Sequence, residues 1–137
     1  MTIQTSSRVK TPQEEANLQT VINFYDTVLN QQQWDRVGEF VDPGYIQHKP
    51  EVADGIPGLL AFMHWVYENS PNHKVRLVRA LVDGDFVTLH VNVINAVEHP
   101  NLAVMDIFRL KDGKLIEHWD VARPVPTEGL LNDNTMF

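Results

Sequence analysis

The hydrophobic pattern of this chain changes its period near residue 74, and this change constrains the fold more than any other feature. Before it, apolar residues recur at helical spacing; after it, apolar and polar residues alternate as they do in β-strands. The predicted helices cover roughly residues 11–29, 34–41 and 56–69. The predicted strands cover roughly residues 74–82, 86–94, 102–110 and 114–122. Helices followed by strands predict an α+β fold, with a mainly antiparallel sheet packed on three N-terminal helices.

Short local signals support these boundaries. Thr11-Pro12-Gln13-Glu14 combines a capping residue, an early proline and the glutamate of a capping box. Asp83-Gly84 and Asp112-Gly113 mark two hairpin turns. Tyr45–His48 is predicted to be a brief strand beside the last one, at the sheet edge. We expect residues 1–10 to be a flexible tail and residues 11–137 to form a single domain.

Composition limits the class of protein. The chain has 137 residues, no cysteine and a formal charge of −7. The acidic balance disfavours nucleic acid and anionic membranes as partners. The N-terminal sequence lacks the apolar core of a signal peptide, and no apolar run approaches membrane-spanning length. Disulfides and thiol chemistry are excluded, and a cytoplasmic location is expected.

The last hairpin concentrates ionisable side chains, and its turn decides where they point. A two-residue turn would pair Lys111 with Lys114 and place Asp106 and Asp120 on opposite faces. A three-residue turn, with Gly113 left-handed, would pair Leu110 with Lys114 and place Asp106 opposite His118. We predict the second arrangement, because buried charges are less costly when they are clustered and paired. The predicted polar face carries Val104, Asp106, Phe108, Ile116, His118, Asp120 and Ala122.

The opposite face of this hairpin is also apolar. It is predicted to carry Ile107, Leu115, Trp119 and Val121. The helices can cover only one face of the sheet, and an apolar face of this size is unfavourable in water. We therefore expect a homodimer that buries the other face.

Several segments, in order along the chain, carry a family resemblance. They are "FYDTVLN" (24–30), "YIQHKP" (45–50), "DG" (54–55), "DGDFVTLHV" (83–91), "AVMDIFRLKDGKLIEHWDV" (103–121) and "NTMF" (134–137). With these segments the chain resembles the SnoaL-like polyketide cyclases of the nuclear transport factor two-like superfamily. The resemblance implies a cone-shaped, curved sheet wrapped around a long helix, a deep apolar pocket and, usually, a dimer.

The resemblance also implies a reaction. Cyclases of this family close a ring by an intramolecular aldol step without a cofactor, and they use an aspartate as general acid/base. That role falls on Asp120 by motif position. Asp106 can act as a second carboxylate that tunes Asp120, and His118 can donate a hydrogen bond or share a proton. Two departures from the family pattern, Ala122-Arg123 and Lys49, lie near the expected pocket mouth and bear on substrate choice.

Other residues are candidates for binding a substrate. His48 can enter the pocket from the short strand, and His90 can do so if the first hairpin also bulges. Aromatic side chains at helical spacing either line such a pocket or serve only as core. The predicted substrate-binding residues are Tyr45, His48, His90, Phe24, Trp34 and Phe62.

Two rival functions use the same residues. His118 and Asp120, with His48 or His90, have the composition of a 2-His-1-carboxylate iron site. The same fold can also serve as a non-catalytic container for small molecules. The interpretation that we prefer is a cofactor-independent cyclase, isomerase or lyase that acts on a small carbonyl compound and binds no metal. The alternative for Asp120 and His118 is a purely structural role on the strand.

Overall fold

A computed structural model describes residues 2–137, and Met1 lies outside the described residues. The two α-helices are α1 (Pro12–Phe24) and α2 (Gly55–Asn69). A π-helical turn (Tyr25–Asn30) continues α1, and a 3₁₀ helix (Trp34–Glu39) follows it. The strands are β1 (Gln4–Thr5), β2 (Val41–Gln47), β3 (Lys74–Asp83), β4 (Phe86–Ala96), β5 (His99–Lys111) and β6 (Lys114–Pro124).

The six strands form one mixed sheet in the order β1-β3-β4-β5-β6-β2. The central pairs are antiparallel, while β1 and β2 add parallel strands at the two edges. The curved sheet and the helices give the α+β cone that the sequence predicts. As predicted, β2 lies at the sheet edge beside the last strand, although it begins earlier than expected, at Val41.

The helix starting at Pro12 has the predicted boundary chemistry. The Thr11 hydroxyl accepts a hydrogen bond from the Glu14 amide, and the Glu14 carboxylate accepts one from the Thr11 amide. Both bonds satisfy amide groups that the first turn leaves without helical partners. The helix then runs into the π-helical turn, so the predicted first helix is continuous but changes its winding at Tyr25.

The core lies between the helices and the inner face of the sheet. Phe24 and Val28 contribute from the first helix, and they pack with strand residues such as Leu89 and Phe108. Burying apolar area of this kind supplies the main favourable free energy of folding. The packing keeps β5 and β6 beneath the helices, where the ionisable residues lie.

The N-terminal segment is attached to the sheet over the residues that the structure describes, which differs from the flexible tail expected for residues 1–10. Gln4 and Thr5 pair with β3. The Ser6 hydroxyl accepts a hydrogen bond from the Val82 amide, and Arg8 forms an ion pair with Glu14. These contacts depend on the distant strand β3, so local sequence carried no signal of them.

The turn between β5 and β6 differs from the prediction. Lys111 pairs with Lys114, and both Asp112 (φ 50°) and Gly113 (φ 76°) adopt the left-handed conformation of a type I′ turn. The predicted three-residue turn is therefore wrong. Asp112 tolerates the left-handed region better than most residues, which makes the tighter turn possible.

A bulge next to that turn restores the predicted grouping of side chains. The register shifts between Leu110, which pairs with Leu115, and Arg109, which pairs with Glu117, so Ile116 is the extra residue. Beyond the bulge, Asp106 lies opposite Asp120 rather than opposite His118. The expected clustering on one face is confirmed. Leu115 is 0% exposed and packs in the core, so its predicted position on the outer face was wrong.

The first hairpin has a two-residue loop, with Asp83 paired to Phe86. Leu89 consequently lies opposite Asp106 on the inner face, while His90 lies opposite Met105. Alternation along the strand therefore turns His90 to the outer face. Among the described residues, no helix has both the length and the apolar composition that a bilayer span requires.

Candidate active site

A cavity of about 480 Å³ lies between the helices and the inner face of the sheet. Its walls are largely apolar, and Phe24, Phe62 and Tyr45 line it among the residues named from the sequence. Ionisable side chains from β5 and β6 enter the same cavity. An apolar cavity with a few convergent polar groups is the usual form of a small-molecule site.

The polar cluster consists of Asp106, His118 and Asp120. A ligand atom of each lies within 4.8 Å of those of the other two. Asp106 and Asp120 are cross-strand partners, and His118 reaches back from the neighbouring pair. The sequence prediction of these three residues in one place therefore agrees with the geometry.

Asp106 is buried and has both carboxylate oxygens engaged. The Tyr25 hydroxyl donates to Oδ2 at 2.5 Å, and Nε2 of His118 lies 2.7 Å from Oδ1. Burial raises the pKa of Tyr25 well above its usual value, and the nearby Asp106 carboxylate adds to this effect. Tyr25 therefore stays a hydroxyl donor.

A π-helical turn continues α1 at the cavity, which Tyr25 lines. It begins at Tyr25, and its wider winding is closed by the Gln31 amide, which donates to the Asp26 carbonyl at 2.9 Å. Such turns change the direction of the side chains that follow a regular helix and are often found at functional sites. Sequence periodicity predicted only a packing role for Tyr25.

Gln47, the last residue of β2, contacts the other side of His118. Its Oε1 lies 2.7 Å from Nδ1 of His118. The same oxygen accepts a hydrogen bond from the backbone amide of Lys49 at 3.0 Å. The backbone N–H of Gln47 donates to Oδ1 of Asp54 at 2.7 Å, and this bond fixes the end of the strand. The parallel register places Gln47 beside His118.

Asp120 faces a different partner. Nζ of Lys49 lies 3.2 Å from Oδ2 of Asp120 and 3.6 Å from Oε2 of Glu51. The same ammonium lies 5.8 Å from the ring centroid of Phe62, within the range of a cation–π contact. Lys49 thus places a positive charge directly at the carboxylate on the cavity wall.

Tyr45 lies in the same part of the cavity. Its hydroxyl is 3.5 Å from Nε2 of Gln47, too long for a strong hydrogen bond. Burial raises the pKa of Tyr45 above its usual value, and the Asp106 carboxylate contributes to the increase. Tyr45 is therefore a neutral hydroxyl at the cavity wall, which can donate to a bound oxygen.

Three of the predicted binding residues are not among those that line the cavity. His48 stacks on Trp119 at a centroid distance of 4.8 Å and contacts Glu117 at 2.7 Å. His90 contacts Arg79 on the outer face. Trp34 packs at the edges of the His64 and Tyr67 rings. His48 directly follows β2, so alternation puts it on the side opposite to Gln47, and Gln47 is the residue that reaches the cavity.

The positions of His48 and His90 bear on the iron-site alternative. Their imidazole rings contact Glu117 and Arg79, and only the backbone amide of His48 bonds to the His118 carbonyl, so the 2-His-1-carboxylate set is not assembled. The set that does converge is Asp106, His118 and Asp120. It fits a metal ion poorly, because Tyr25, Gln47 and the Lys49 ammonium already occupy the ligand atoms that a cation would need.

The fold and the cavity define a class: α+β cone proteins with a small-molecule pocket on the inner face of the sheet. The sequence model of the SnoaL-like polyketide cyclases matches residues 19–128. The chain belongs to this family. No curated protein sequence matches the chain significantly.

Solved structures show the same fold at low sequence identity. A protein assigned as a polyketide cyclase from Bacillus cereus ATCC 10987 is 18% identical, with a TM-score of 0.75 over 88% of this chain and 83% of its own. A SnoaL-like polyketide cyclase assignment from Jannaschia sp. CCS1 is 24% identical, with a TM-score of 0.73 over 85% and 91%. A protein assigned as a ketosteroid isomerase from Kribbella flavida DSM 17836 is 17% identical, with a TM-score of 0.70 over 89% and 91%.

Proposed function

We propose that this protein is a cofactor-independent cyclase or isomerase that acts on a small carbonyl compound, with Asp120 as general acid/base. The observation that carries the proposal is the position of the Asp120 carboxylate. It lies beside the Lys49 ammonium, at the wall of an apolar cavity that the Tyr45 hydroxyl also lines. The family and the isomerase-like neighbour support this reaction class.

The proposed step is a proton transfer followed by carbon–carbon bond formation. Asp120 takes a proton from the carbon next to a substrate carbonyl, and the bonding electrons move to the carbonyl oxygen as an enolate. The enolate carbon then attacks a second carbonyl of the same molecule. The protonated Asp120 returns its proton to the alkoxide, so acid and base balance without any added reagent.

Developing charge on the substrate oxygen needs stabilisation in such a step. The Tyr45 hydroxyl and the Lys49 ammonium are the groups best placed to provide it. When Asp120 accepts the proton, its negative charge disappears while the enolate charge appears. Lys49 can follow that charge, because its flexible side chain already contacts Asp120 in the resting site.

His118 and Asp106 have a supporting role in this proposal. They contact each other and the residues around them, Tyr25 and Gln47, and they define the polar end of the cavity. Phe24, Phe62 and the apolar strand residues bind the body of the substrate. His48, His90 and Trp34 are left out of the proposed binding set because they do not line the cavity.

The container function is the second candidate. The observation in its favour is the predominantly apolar lining of the cavity, which suits binding alone. It predicts no turnover, and it predicts that Asp120 substitution alters only ligand affinity. We further propose a cytoplasmic location and a homodimer, the latter because the outer face of β5 and β6 exposes apolar side chains.

A panel of diketones and polyketide-like carbonyl compounds tests the proposal, with the parent protein and Asp120→Asn compared. The substitution preserves size but removes the base, so kcat should fall roughly 100-fold or more, with a smaller change in KM. Asp35→Asn is the matched control, because Asp35 is exposed on the 3₁₀ helix.

Thermal melts of each protein separate a catalytic from a structural effect. Equal activity of the parent and Asp120→Asn would rule out Asp120 as the base. A lost activity that accompanies a large drop in melting temperature would assign Asp120 a structural role. Ligand binding without any turnover across the panel would favour the container.

A further inference from the structure

We propose that Gln47 is a positioning residue that fixes the tautomer of His118, so that His118 and Asp106 share a single proton and form an uncharged pair. This goes beyond the assignment of Asp120 as the base. It gives a task to a glutamine that sequence patterns did not single out. The proton arrangement follows from hydrogen-bond geometry, and only its catalytic consequence rests on the proposed function.

The first step identifies the Gln47 atom that faces His118. The backbone amide of Lys49 lies 3.0 Å from Oε1 of Gln47, and an amide N–H can only donate. The atom that accepts this bond must therefore be the side-chain oxygen, because the NH₂ group could not accept it. This contact settles the orientation of the Gln47 amide, which is otherwise ambiguous.

The second step assigns the proton on His118. Nδ1 of His118 lies 2.7 Å from the same Gln47 oxygen, which accepts but cannot donate. Nδ1 must therefore carry a hydrogen. A neutral imidazole carries only one, so its Nε2 would be unprotonated unless a second proton is present.

The third step concerns the other side of the ring. Nε2 lies 2.7 Å from Oδ1 of Asp106, a distance that requires a proton between the two atoms. The Tyr25 hydroxyl donates to Oδ2 of Asp106, so it supplies no proton to this contact. One proton therefore lies between Nε2 and Oδ1. An imidazolium with a carboxylate and an imidazole with a carboxylic acid both have zero net charge.

An uncharged pair changes the environment of Asp120. Two neighbouring carboxylates would repel each other, and either one could act as the base. With Asp106 neutralised by His118, Asp120 is the cluster carboxylate that retains a net charge, balanced by Lys49. Gln47 would thus direct the proton abstraction to one of two aspartates that lie opposite each other.

The surroundings of Gln47 suit this task. The side chain is held by the Lys49 amide, and the backbone is held by Asp54 and by pairing with His118. Because these contacts restrain both ends of the residue, the oxygen stays aimed at Nδ1. A glutamine on a mobile loop could rotate and offer its NH₂ group instead.

Nitrogen NMR of protein labelled in histidine tests the proton arrangement directly. The sequence has six histidines, and a His118→Asn variant identifies the signals of His118 by their loss. We expect Nδ1 of His118 to carry a directly bonded proton in the parent. In Gln47→Met, which keeps the length of the side chain but lacks the oxygen, Nδ1 should lose its proton, and the proton between Nε2 and Asp106 should stay.

The matched variant is Gln47→Glu, whose carboxylate still accepts from both the Lys49 amide and His118. It should retain the bonded proton at Nδ1. A parent protein in which Nδ1 carries no proton, or a Gln47→Met variant in which Nδ1 keeps it, would overturn the proposal. Thermal melts show whether each variant is folded, and Gln47→Leu is the replacement if Gln47→Met is not.

Kinetics test the consequence separately from the tautomer. On a substrate turned over by the parent, Gln47→Met should lower kcat roughly 10-fold with little change in KM, because it disturbs positioning rather than binding. Unchanged kcat with the expected NMR result would overturn the catalytic consequence alone. If no substrate is turned over, the proposed function fails, and the NMR result still decides the role of Gln47.

Discussion

The hydroxyl of Tyr25 lies 2.5 Å from Oδ2 of Asp106, although the two residues are 81 positions apart in the chain. This contact joins the helical layer to the sheet inside the cavity. Both residues are buried. Removal of one partner would therefore leave a buried polar atom of the other without a hydrogen-bond partner.

Tyr25→Phe should lower the free energy of unfolding by about 1–3 kcal/mol, because Asp106 would lose a hydrogen bond that water replaces poorly in a buried site. Urea denaturation monitored by circular dichroism measures the change. The control is Tyr67→Phe, which removes a hydroxyl bonded to the Leu29 carbonyl from a half-buried position. A loss for Tyr25→Phe no larger than that for Tyr67→Phe would contradict the prediction.

Lys49 is the cation nearest to Asp120 among the contacts described, and its charge should matter for turnover. Lys49→Met should lower kcat roughly 10-fold, because the developing negative charge would lose its partner. Lys49→Arg should retain more activity, since it keeps the charge. Steady-state kinetics with the substrate from the carbonyl panel provide the comparison. Lys111→Met is the control, because Lys111 is exposed. Equal activity of Lys49→Met and the parent would exclude a role of Lys49 in stabilising the developing charge.

His73 makes the stability depend on pH. It is 9% exposed, burial lowers its pKa below the ordinary value of about 6.5, and its Nδ1 lacks a hydrogen-bond partner among the described residues. The unfolded chain therefore binds a proton at this residue before the folded chain does. Stability contributed by neutral His73 is present above about pH 6.5 and decreases as the pH falls below it.

A His73→Phe variant should therefore lose less stability than the parent between pH 7 and pH 5. Urea denaturation at a series of pH values gives both curves, and only their difference is interpreted, because carboxylates titrate in both proteins. His64→Phe, at an exposed position, should follow the parent. Parallel curves for the parent and His73→Phe would mean that His73 does not contribute.

The outer face of β5 and β6 should mediate dimerisation. Val121 is 75% exposed, Met105 is 46% exposed and Ile107 is 37% exposed in the single chain. Sedimentation should detect a dimer at micromolar concentration, and Val121→Lys should shift it to monomer because it places a charge in the apolar contact. Val9→Lys, at an exposed N-terminal position, should remain dimeric. A monomeric parent protein would show that this face is not an interface.

The sequence predicted the fold and the polar cluster better than it predicted the contacts that support the cluster. The change of period near residue 74 is set by local burial, so it correctly predicted α1, α2 and the strands β3 to β6, whereas it gave no sign of β1 or of the early start of β2. The hairpin was harder, because the Asp112-Gly113 turn is compatible with two loop lengths. Clustering of the polar groups was inferred correctly from the cost of burying isolated charges, but from the wrong turn.

Tyr25 and Gln47 show why the rest was not accessible from the sequence. Tyr25 is buried as the helical period predicts, but its hydroxyl meets Asp106, 81 positions away, and periodicity carries no information about such a contact. The contact of Gln47 with His118 depends on the parallel register of β2 and β6, which form an edge pair from distant segments. Histidine is a common catalytic residue, so the sequence favours His48 as the residue that enters the cavity. His48 is one position further along the chain than Gln47, so its side chain points away from the cavity.

The extra residue at Ile116 separates the shape of the turn from the orientation of the site. Side chains beyond the bulge depend on the parity of the residue count between turn and cluster, whereas the turn itself depends only on its own backbone. A regular ladder that kept Ile116 in register would pair Asp106 with Trp119 and would turn His118 and Asp120 to the outer face. The bulge therefore keeps the chemistry of the cavity in place, and a strand that lost the bulge but kept every residue would carry the same side chains on the wrong face.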